Sequence, residues 1–449
     1  VYPFVMSRLP SENKCTEKKS LDISFYKGLF GCIMTGLTQE YFAPFILYLG
    51  GQARHIGIFN SSANFFSSFM QLFSAEIVEK FKSRQKMISF FVMLQAVILL
   101  LIVVFILQNR QNYWVFIVLA VLFTGFGMVF HPAWMSFLSD LVDVERRGDY
   151  FGWRSRNLGL ATVGMMIVAG VILHRMEKIN LSYGFALLFG LACLSRVISW
   201  GMLHKMVEPP LPYRREDHFT FVQFFRRLKE SNFAKFVLFV SLMNFSVNLA
   251  APYFAVLMLR DLSFNYLIYT AIITAAPLIL FLNVRRWGRH ADVVGNLTII
   301  RLTSRLIAVI PFLWILNQSP PYLMMVEMFS GFLWAGFNLC SVNFIYDAVT
   351  PSKRTRCIAY FHVVNGVALA SGALLGGFII PHLPRLSGYP ILSLFLISSI
   401  LRFMVSLVLP RMLKEVRHVQ HVKSVDLLLS MIRLRPILGV EINGSFRNR

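Results

Sequence analysis

The chain has 449 residues, of which 56% are hydrophobic and only 15% are charged, and its mean hydropathy is +0.61. So few charges cannot cover the surfaces of soluble domains, and the same figures exclude a disordered chain, a collagen and a disulfide scaffold. The composition indicates a polytopic membrane protein, so the formal net charge of +22 must be explained by where the charges lie.

Twelve apolar stretches are each long enough for a helix to cross the hydrocarbon core of a bilayer, which takes about 20 residues. They are too long and too uniformly apolar for the strands of a membrane barrel. The longest gap, residues 206–232, divides them six and six. In chain order the predicted spans are 24–49, 56–78, 87–107, 113–139, 150–173, 183–205, 233–259, 264–284, 298–316, 322–346, 357–381 and 389–410.

The lysines and arginines are distributed unevenly between the two predicted sides. If the chain starts inside, most of the 44 lie in the tails and in the even-numbered connections. This is the positive-inside pattern, and it predicts both termini in the cytoplasm of a multi-pass cell (inner or plasma) membrane protein. A nucleic-acid partner is not needed to explain the charge. The predicted organisation is an N-terminal segment 1–23, a six-helix bundle 24–206, a linker 207–232, a second six-helix bundle 233–410 and a basic tail 411–449.

The two halves resemble each other at a nearly constant offset of 206 to 208 residues, in the same order and on equivalent predicted helices. This indicates a parallel duplication of six helices. The matching blocks are Phe25-Tyr26-Lys27 with Phe233-Ala234-Lys235, Ala43-Pro44-Phe45 with Ala251-Pro252-Tyr253, Asp140 and Arg147 with Asp347 and Arg354, and Arg196 with Arg402.

A loop motif lies between the eighth and ninth spans, in residues 288–296, which read GRHADVVGN. It resembles the Gly-x-x-x-Asp-x-x-Gly loop of the major facilitator superfamily. A degraded copy occupies the matching loop of the first half, residues 75–86. The resemblance extends over about residues 20–415. It implies an all-α membrane fold with twelve transmembrane helices in two pseudo-symmetric six-helix bundles.

The resemblance also implies a role for the loops. The acidic residue of the motif caps a nearby helix, and the basic residues pair with the acid that ends the fourth or tenth helix. Such pairs can form in one state of a transporter and break in the other, although they can also simply anchor helices. The residues this predicts for the cytoplasmic gate motifs are Gly288, Arg289, Asp292, Gly295, Glu79, Arg84, Asp140, Arg147, Asp347 and Arg354.

Charges deep in a membrane are costly, so each one calls for an explanation. Among the acids only Glu40 and Glu327 lie well inside spans. Glu40 is the first candidate for proton coupling or for pairing with a cationic substrate, against a structural hydrogen bond. Glu327 either lines the cavity or reaches the outer interface. Arg196 and Arg402 are expected to extend towards the cytoplasmic interface.

Uncharged polar residues within spans either join helices or line an aqueous path. A histidine near a helix midpoint can also relay protons, although packing histidines are common. The predicted proton-coupling and substrate-cavity residues are Glu40, Gln39, Asn244, Asn248, His131, Glu327 and Asn338.

These patterns predict a secondary active transporter that moves a small organic solute by alternating access, coupled to protons as a symporter or antiporter. Efflux of amphipathic compounds and lipid translocation by the same fold remain alternatives, and a receptor or scaffold without transport is a further one. The sequence predicts no enzyme activity, catalytic residue, metal site or cofactor. The expected partners are a small-molecule substrate, a coupling proton and the lipid bilayer, and the expected state is a monomer.

Overall fold

A computed structural model describes residues 11–143, 147–208, 231–349, 354–416 and 424–431. This part of the chain is almost wholly helical and contains no strand beyond an isolated bridge between Leu386 and Tyr389. Its long helices are α1 (Ser11–Thr38), α2 (Ala53–Leu72), α3 (Arg84–Leu107), α4 (Tyr113–Asp140), α5 (Arg147–Met176), α6 (Leu181–Leu203), α7 (Asn232–Asn248), α8 (Tyr266–Val294), α9 (Asn296–Leu316), α10 (Pro320–Ala348), α11 (Arg354–Ile379) and α12 (Pro390–Val408).

Within the described residues, ten helices, α3 to α12, are long and apolar enough to cross a membrane. The other two long helices carry more polar residues, because α1 opens with a polar run at Ser11 and α2 contains several serines and asparagines. Membrane spanning by α1 and α2 therefore stays a prediction. Helix α1 begins well before the predicted residue 24. It ends at Thr38 and continues through a 3-10 turn, Gln39–Tyr41, into a short helix, Phe42–Tyr48.

The chain forms two compact units. The first contains Val1–Gln52, Ser62–Arg214 and Asn265–Leu267, and the second contains Ala53–Ser61, Arg215–Phe264 and Ile268–Arg449. The first turns of α2 thus belong to the second unit, whereas the sequence assigns the whole of this helix to the first bundle.

Helix packing inside the two units follows one scheme. In the first unit α3 packs on α4 and α6, and α1 packs on α5 and α6. In the second unit α9 packs on α10 and α12, and α7 packs on α11 and α12. Each contact in the second unit is the first unit's contact moved on by six helices, as a parallel duplication requires.

The helix starts are set by short polar side chains that accept hydrogen bonds from the first free backbone N–H groups. Ser83 accepts from the Lys86 N–H at 3.0 Å, and Asn112 accepts from the Trp114 N–H at 3.0 Å. Asn180 and Ser231 do the same for α6 and α7. Gly295, at a φ of 84°, makes the sharp turn from α8 into α9 that side chains rarely allow.

Glycines set how closely the first and fifth helices of each unit approach. A Cβ at Gly36 of α1 would lie 2.6 Å from the Thr162 carbonyl oxygen of α5. In the second unit a Cβ at Gly372 of α11 would meet the Phe245 carbonyl oxygen of α7. Both contacts need a residue without a side chain, which is how small residues bring membrane helices together.

Candidate functional site

Glu40 lies in the 3-10 turn that interrupts the first helix. The residues on either side of the pair Gln39–Glu40 are fully buried, with Thr38 and Tyr41 both 0% exposed, whereas Gln39 and Glu40 are exposed. At a rise of about 1.5 Å per residue, Glu40 is roughly 12 Å from Tyr48, the last residue of the short helix. The break therefore places an accessible carboxyl and an accessible amide at a position well inside the helix.

A tyrosine fixes this break to the fifth helix of its unit, and the second unit repeats the arrangement. The Tyr41 hydroxyl donates to the Met166 carbonyl oxygen at 2.6 Å. In the second unit the Tyr253 hydroxyl, in the 3-10 turn Ala251–Tyr253, donates to the Ala373 carbonyl oxygen. The two acceptors are repeat-equivalent at an offset of 207, whereas the two tyrosines are offset by 212. Each unit therefore anchors a bent first helix to the same place on its fifth helix, from tyrosines about one turn apart.

The predicted polar residues of α7 form a small amide cluster with α11. Asn244 donates from Nδ2 to Oδ1 of Asn365 at 2.6 Å. Asn248 donates to the Asn244 carbonyl oxygen at 3.4 Å, one turn back along the same helix. All three side chains are partly exposed. The cluster joins two helices and its side chains remain partly exposed. It is therefore compatible with both roles that the sequence leaves open, which are joining helices and lining an aqueous path.

The other predicted cavity residues are not all in similar surroundings. His131 on α4 and Asn338 on α10 are exposed. Glu327 on α10 is half-buried and accepts a hydrogen bond from the Trp314 indole at 3.1 Å. That bond ties α10 to α9, so Glu327 has a structural contact in addition to its predicted role.

The prediction that Arg196 and Arg402 reach the interface is wrong. They are 5% and 3% exposed, inside their units. The Arg196 Nη2 donates to Gln95 Oε1 on α3, and the guanidinium lies 5.2 Å from the centre of the Phe130 ring. Arg402 donates to the Ser398 hydroxyl and to backbone carbonyls of α7 and α9. Polar acceptors inside the bundle stabilise both charges.

A group of cations that the sequence reasoning missed lies in the first unit. Lys27, close to a predicted helix start, is only 5% exposed, and its Nζ lies 3.2 Å from the centre of the Trp134 ring. Arg154 of α5 lies over the same indole at 5.8 Å and donates to the Ser24 carbonyl oxygen at 3.2 Å. Arg196 is on α6, where the Ser199 hydroxyl donates to the Lys27 carbonyl oxygen at 3.1 Å.

At the end of the first unit where α3 begins and α4 ends, Arg84 forms the ion pair that the family resemblance implies. Its Nη1 lies 2.6 Å from Asp140 Oδ2 and 3.0 Å from the Ser136 hydroxyl. In the second unit α9 begins with Asn296, whose Nδ2 donates to Asp347 Oδ2 at 2.9 Å. The same connection thus exists twice, as a salt bridge in one unit and as an amide–carboxylate bond in the other.

A glutamate that follows the last helix of each unit bonds the start of the third or ninth helix. Glu208 accepts from the Arg84 N–H at 2.6 Å and from the Ser83 hydroxyl at 2.5 Å. Glu415 accepts from the Leu297 N–H at 2.7 Å. Each carboxylate sits at a helix N-terminus, where the dipole favours negative charge. Sequence reasoning missed them, although their offset of 207 matches the repeat.

The remaining predicted gate residues are mostly at the surface. Glu79, Arg289 and Asp292 are exposed, and Gly288 is partly buried in α8. The Arg147 Nε donates to the Val142 carbonyl oxygen at 3.1 Å. The side chain of Arg354 lies outside the described residues. Within the motif His290 is buried, and its Nε2 is 3.1 Å from the Ser430 hydroxyl on the C-terminal helix Ser424–Met431.

Duplicated packing, bent first helices and linked helix ends define a helical membrane transporter fold. The sequence profile of the major facilitator superfamily matches residues 28–316, and the chain belongs to that family. No curated protein sequence matches the chain.

Solved structures share the fold at low identity. The nucleoside transporter NupG aligns with a TM-score of 0.65 and 12% identity over 88% of this chain and 98% of its own. The human organic anion transporter MFSD10 aligns with 0.60 and 12% over 89% and 100%. A bacterial homologue of the human lysosomal transporter Spinster, in an inward-facing and unoccupied conformation, aligns with 0.58 and 13% over 90% and 99%.

Proposed function

We propose that this protein is a secondary active transporter that moves a small organic solute by alternating access and that Glu40 carries the coupling proton. The observation that carries the proposal is the position of Glu40, exposed within an interrupted helix whose neighbouring residues are buried. A carboxylate at such a depth is costly, so exchange between charged and protonated forms can be linked to access from each side.

The ion pair Arg84–Asp140 supports a gate in the same proposal. Arg84 is 2% exposed and Asp140 is 29% exposed, so solvent reaches one partner and the pair can open without unfolding the helices. We place this end of the first unit on the cytoplasmic side, with both chain termini, because the basic residues are concentrated there in the predicted topology. The protein would act as a monomer in the cell membrane.

The substrate has to be found before coupling can be measured. The names of the structural neighbours make a nucleoside and an organic anion reasonable first classes. Uridine and hippurate should therefore lead a screen for thermal stabilisation of the purified protein, and any compound that stabilises it should be tested for flux in proteoliposomes. A compound that binds but never crosses the bilayer would favour the receptor or scaffold alternative. Flux of amphipathic compounds or lipids would favour the other transport alternatives.

The coupling test compares Glu40→Gln with Glu177→Gln, a change at an exposed glutamate after α5. We expect Glu40→Gln to abolish accumulation driven by a pH gradient while thermal unfolding stays close to that of the native protein. Glu177→Gln should accumulate substrate normally. Unchanged pH-driven accumulation in Glu40→Gln would remove the proton role of this residue, and flux that ignores the gradient in the native protein would make it a facilitator.

A further inference from the structure

We propose that Lys27 and Arg154, with the Trp134 indole between their helices, form a subsite for the anionic group of the transported solute. The inference deepens the proposed function and rests on it, because it names the substrate class of the same transporter. The anionic group is a carboxylate or a phosphate, since both offer oxygens that a lysine and an arginine can bind together.

The first step of the argument is the cost of the cations. Lys27 is almost completely buried, and burying an ammonium is unfavourable unless an opposite charge or several hydrogen bonds compensate. In the part of the chain that the structure describes, no acidic side chain lies within ion-pair distance of Lys27 or Arg154. The contact of Nζ with the Trp134 ring compensates only partly, because it supplies no anion.

The second step is the unsatisfied hydrogen-bonding capacity of the arginine. Arg154 uses Nη2 for the Ser24 carbonyl oxygen and also interacts with the Tyr150 side chain, while its Nε is buried and has no partner. Buried N–H groups are normally bonded, so an unpaired one marks a place for a ligand atom. Gly28 makes room for this guanidinium, because a Cβ there would lie 2.5 Å from Arg154 Nη2.

The third step is that the fold does not need these cations. The second unit has the same packing, yet at the repeat-equivalent positions Phe361 stands for Arg154 and Ser341 stands for Trp134. Its lysine, Lys235, is partly exposed. The second unit thus keeps the lysine but has neither the arginine nor the tryptophan. The burial of Lys27 beside Arg154 and Trp134 is therefore better explained by a ligand than by packing.

The subsite is also accessible. Arg154 is half-buried, and His131, one turn from Trp134 on α4, is exposed. An anion can therefore meet Arg154 and His131 first, while Lys27 lies nearly buried against the Trp134 ring. Trp134 offers a flat apolar surface against which the uncharged part of a ring-containing solute can stack.

The test uses the full-length protein in detergent and small aromatic probes. Thermal unfolding is measured with benzoate, with phenyl phosphate and with the neutral analogue benzamide, at constant ionic strength. We expect benzoate or phenyl phosphate to raise the unfolding temperature by a few degrees and benzamide to leave it unchanged. The more effective anion distinguishes a carboxylate from a phosphate substrate.

Substitutions connect the effect to the two residues. Lys27→Met and Arg154→Met should each raise the apparent Kd of the active anion by about tenfold or more, as expected for a lost charged hydrogen bond. Lys27→Arg keeps the charge and should retain binding. Lys178→Met removes an exposed lysine and the same net charge, and it should bind like the native protein.

Stability without ligand separates a binding role from a structural one. Lys27→Met should unfold at the native temperature or above it, because it removes a buried and unpaired charge. A much lower unfolding temperature in Lys27→Met, with Lys27→Arg unable to restore anion binding, would overturn the proposal. So would the absence of stabilisation by either anion, or equal stabilisation of Lys27→Met. Flux of a neutral solute such as uridine would leave the transporter assignment intact while the anion subsite fails.

Discussion

The two units solve the same packing problem with opposite residues. In the first unit a glycine on the first helix, Gly36, faces the larger Met165 on the fifth. At the repeat-equivalent positions of the second unit, Asn244 is on the first helix and the glycine, Gly372, is on the fifth. The duplicated fold therefore requires one small residue at this helix contact, and either helix can supply it. What the repeat keeps is the distance between backbones.

The two units are alike at the ends of their helices and differ in the middle of them. At the ends, both units pair an acid of the fourth or tenth helix with the start of the preceding helix, and both use a glutamate as a cap. In the middle, the first unit has Glu40 and the cations around Trp134, whereas the second has Asn248 and a cluster of amides. The shared parts hold the fold, and the unshared parts are where a single substrate would be recognised.

The largest expected effect comes from filling the helix contact. Gly36→Leu and Gly372→Leu should each cost about 3 kcal/mol of unfolding free energy or prevent folding, because the new side chain meets a backbone oxygen that cannot move alone. Thermal unfolding in detergent, followed by circular dichroism, measures this.

The matched control is Gly164→Leu on α5, where a Cβ would meet nothing within 4 Å. It should change stability by no more than about 0.5 kcal/mol. If Gly36→Leu were as stable as this control, the helices would not approach as closely as described.

A smaller effect should follow from making the first unit resemble the second at Arg196. Gln95 accepts from Arg196 through its side chain, whereas the residue of α9 that accepts from Arg402 is Ile307, through its backbone carbonyl. Gln95→Ile leaves a buried guanidinium without its acceptor and should cost about 2 kcal/mol.

The exposed Gln111 provides the comparison for this change, since Gln111→Ile should be nearly neutral. Equal unfolding temperatures for the two variants would mean that Arg196 does not depend on Gln95.

The smallest expected effect comes from removing the two glutamate caps, one in each unit. Glu208→Ala should cost about 1.5 kcal/mol, because this carboxylate accepts from two backbone N–H groups and the Ser83 hydroxyl. Glu415→Ala should cost about 0.5 kcal/mol, because at the start of α9 Glu415 accepts from one backbone N–H, that of Leu297.

Parallel thermal unfolding of the two single variants gives the difference directly. If Glu415→Ala were the less stable protein, Glu208 would not be the stronger of the two caps.

Hydropathy and repeat spacing predict much of this fold. The ten helices from α3 onwards lie close to the predicted spans, and the offset of 207 predicts the equivalence of Asp140 and Asp347. The same offset relates Glu208 to Glu415, but both glutamates lie just outside the predicted spans, where hydropathy gives no reason to compare them. The early start of α1 could not be predicted from apolarity, because polar residues form helices equally well at a helix end.

The sequence does not predict how each helix is rotated about its axis, and so does not predict which side chains point into the bundle. Lys27 lies near the start of its predicted helix and Arg196 in the predicted cytoplasmic half of its own, and long cationic side chains can extend from such positions towards water. In the structure both turn inwards, because Gln95 and Trp134 on neighbouring helices offer an acceptor and a ring face. Those partners are far away in the chain, at positions that no local pattern connects to the two cations.

The glutamate caps bear on how such a chain could arise by fusion of two copies. Each carboxylate closes a helix of its own half, so a single six-helix ancestor that stopped at this glutamate would already have its exposed N–H groups bonded. Joining two copies end to end would then need only a connecting segment and no new capping residue. The later divergence of Arg154 and Phe361, or of Glu40 and Asn248, could then proceed without loss of the capped helix ends in either copy.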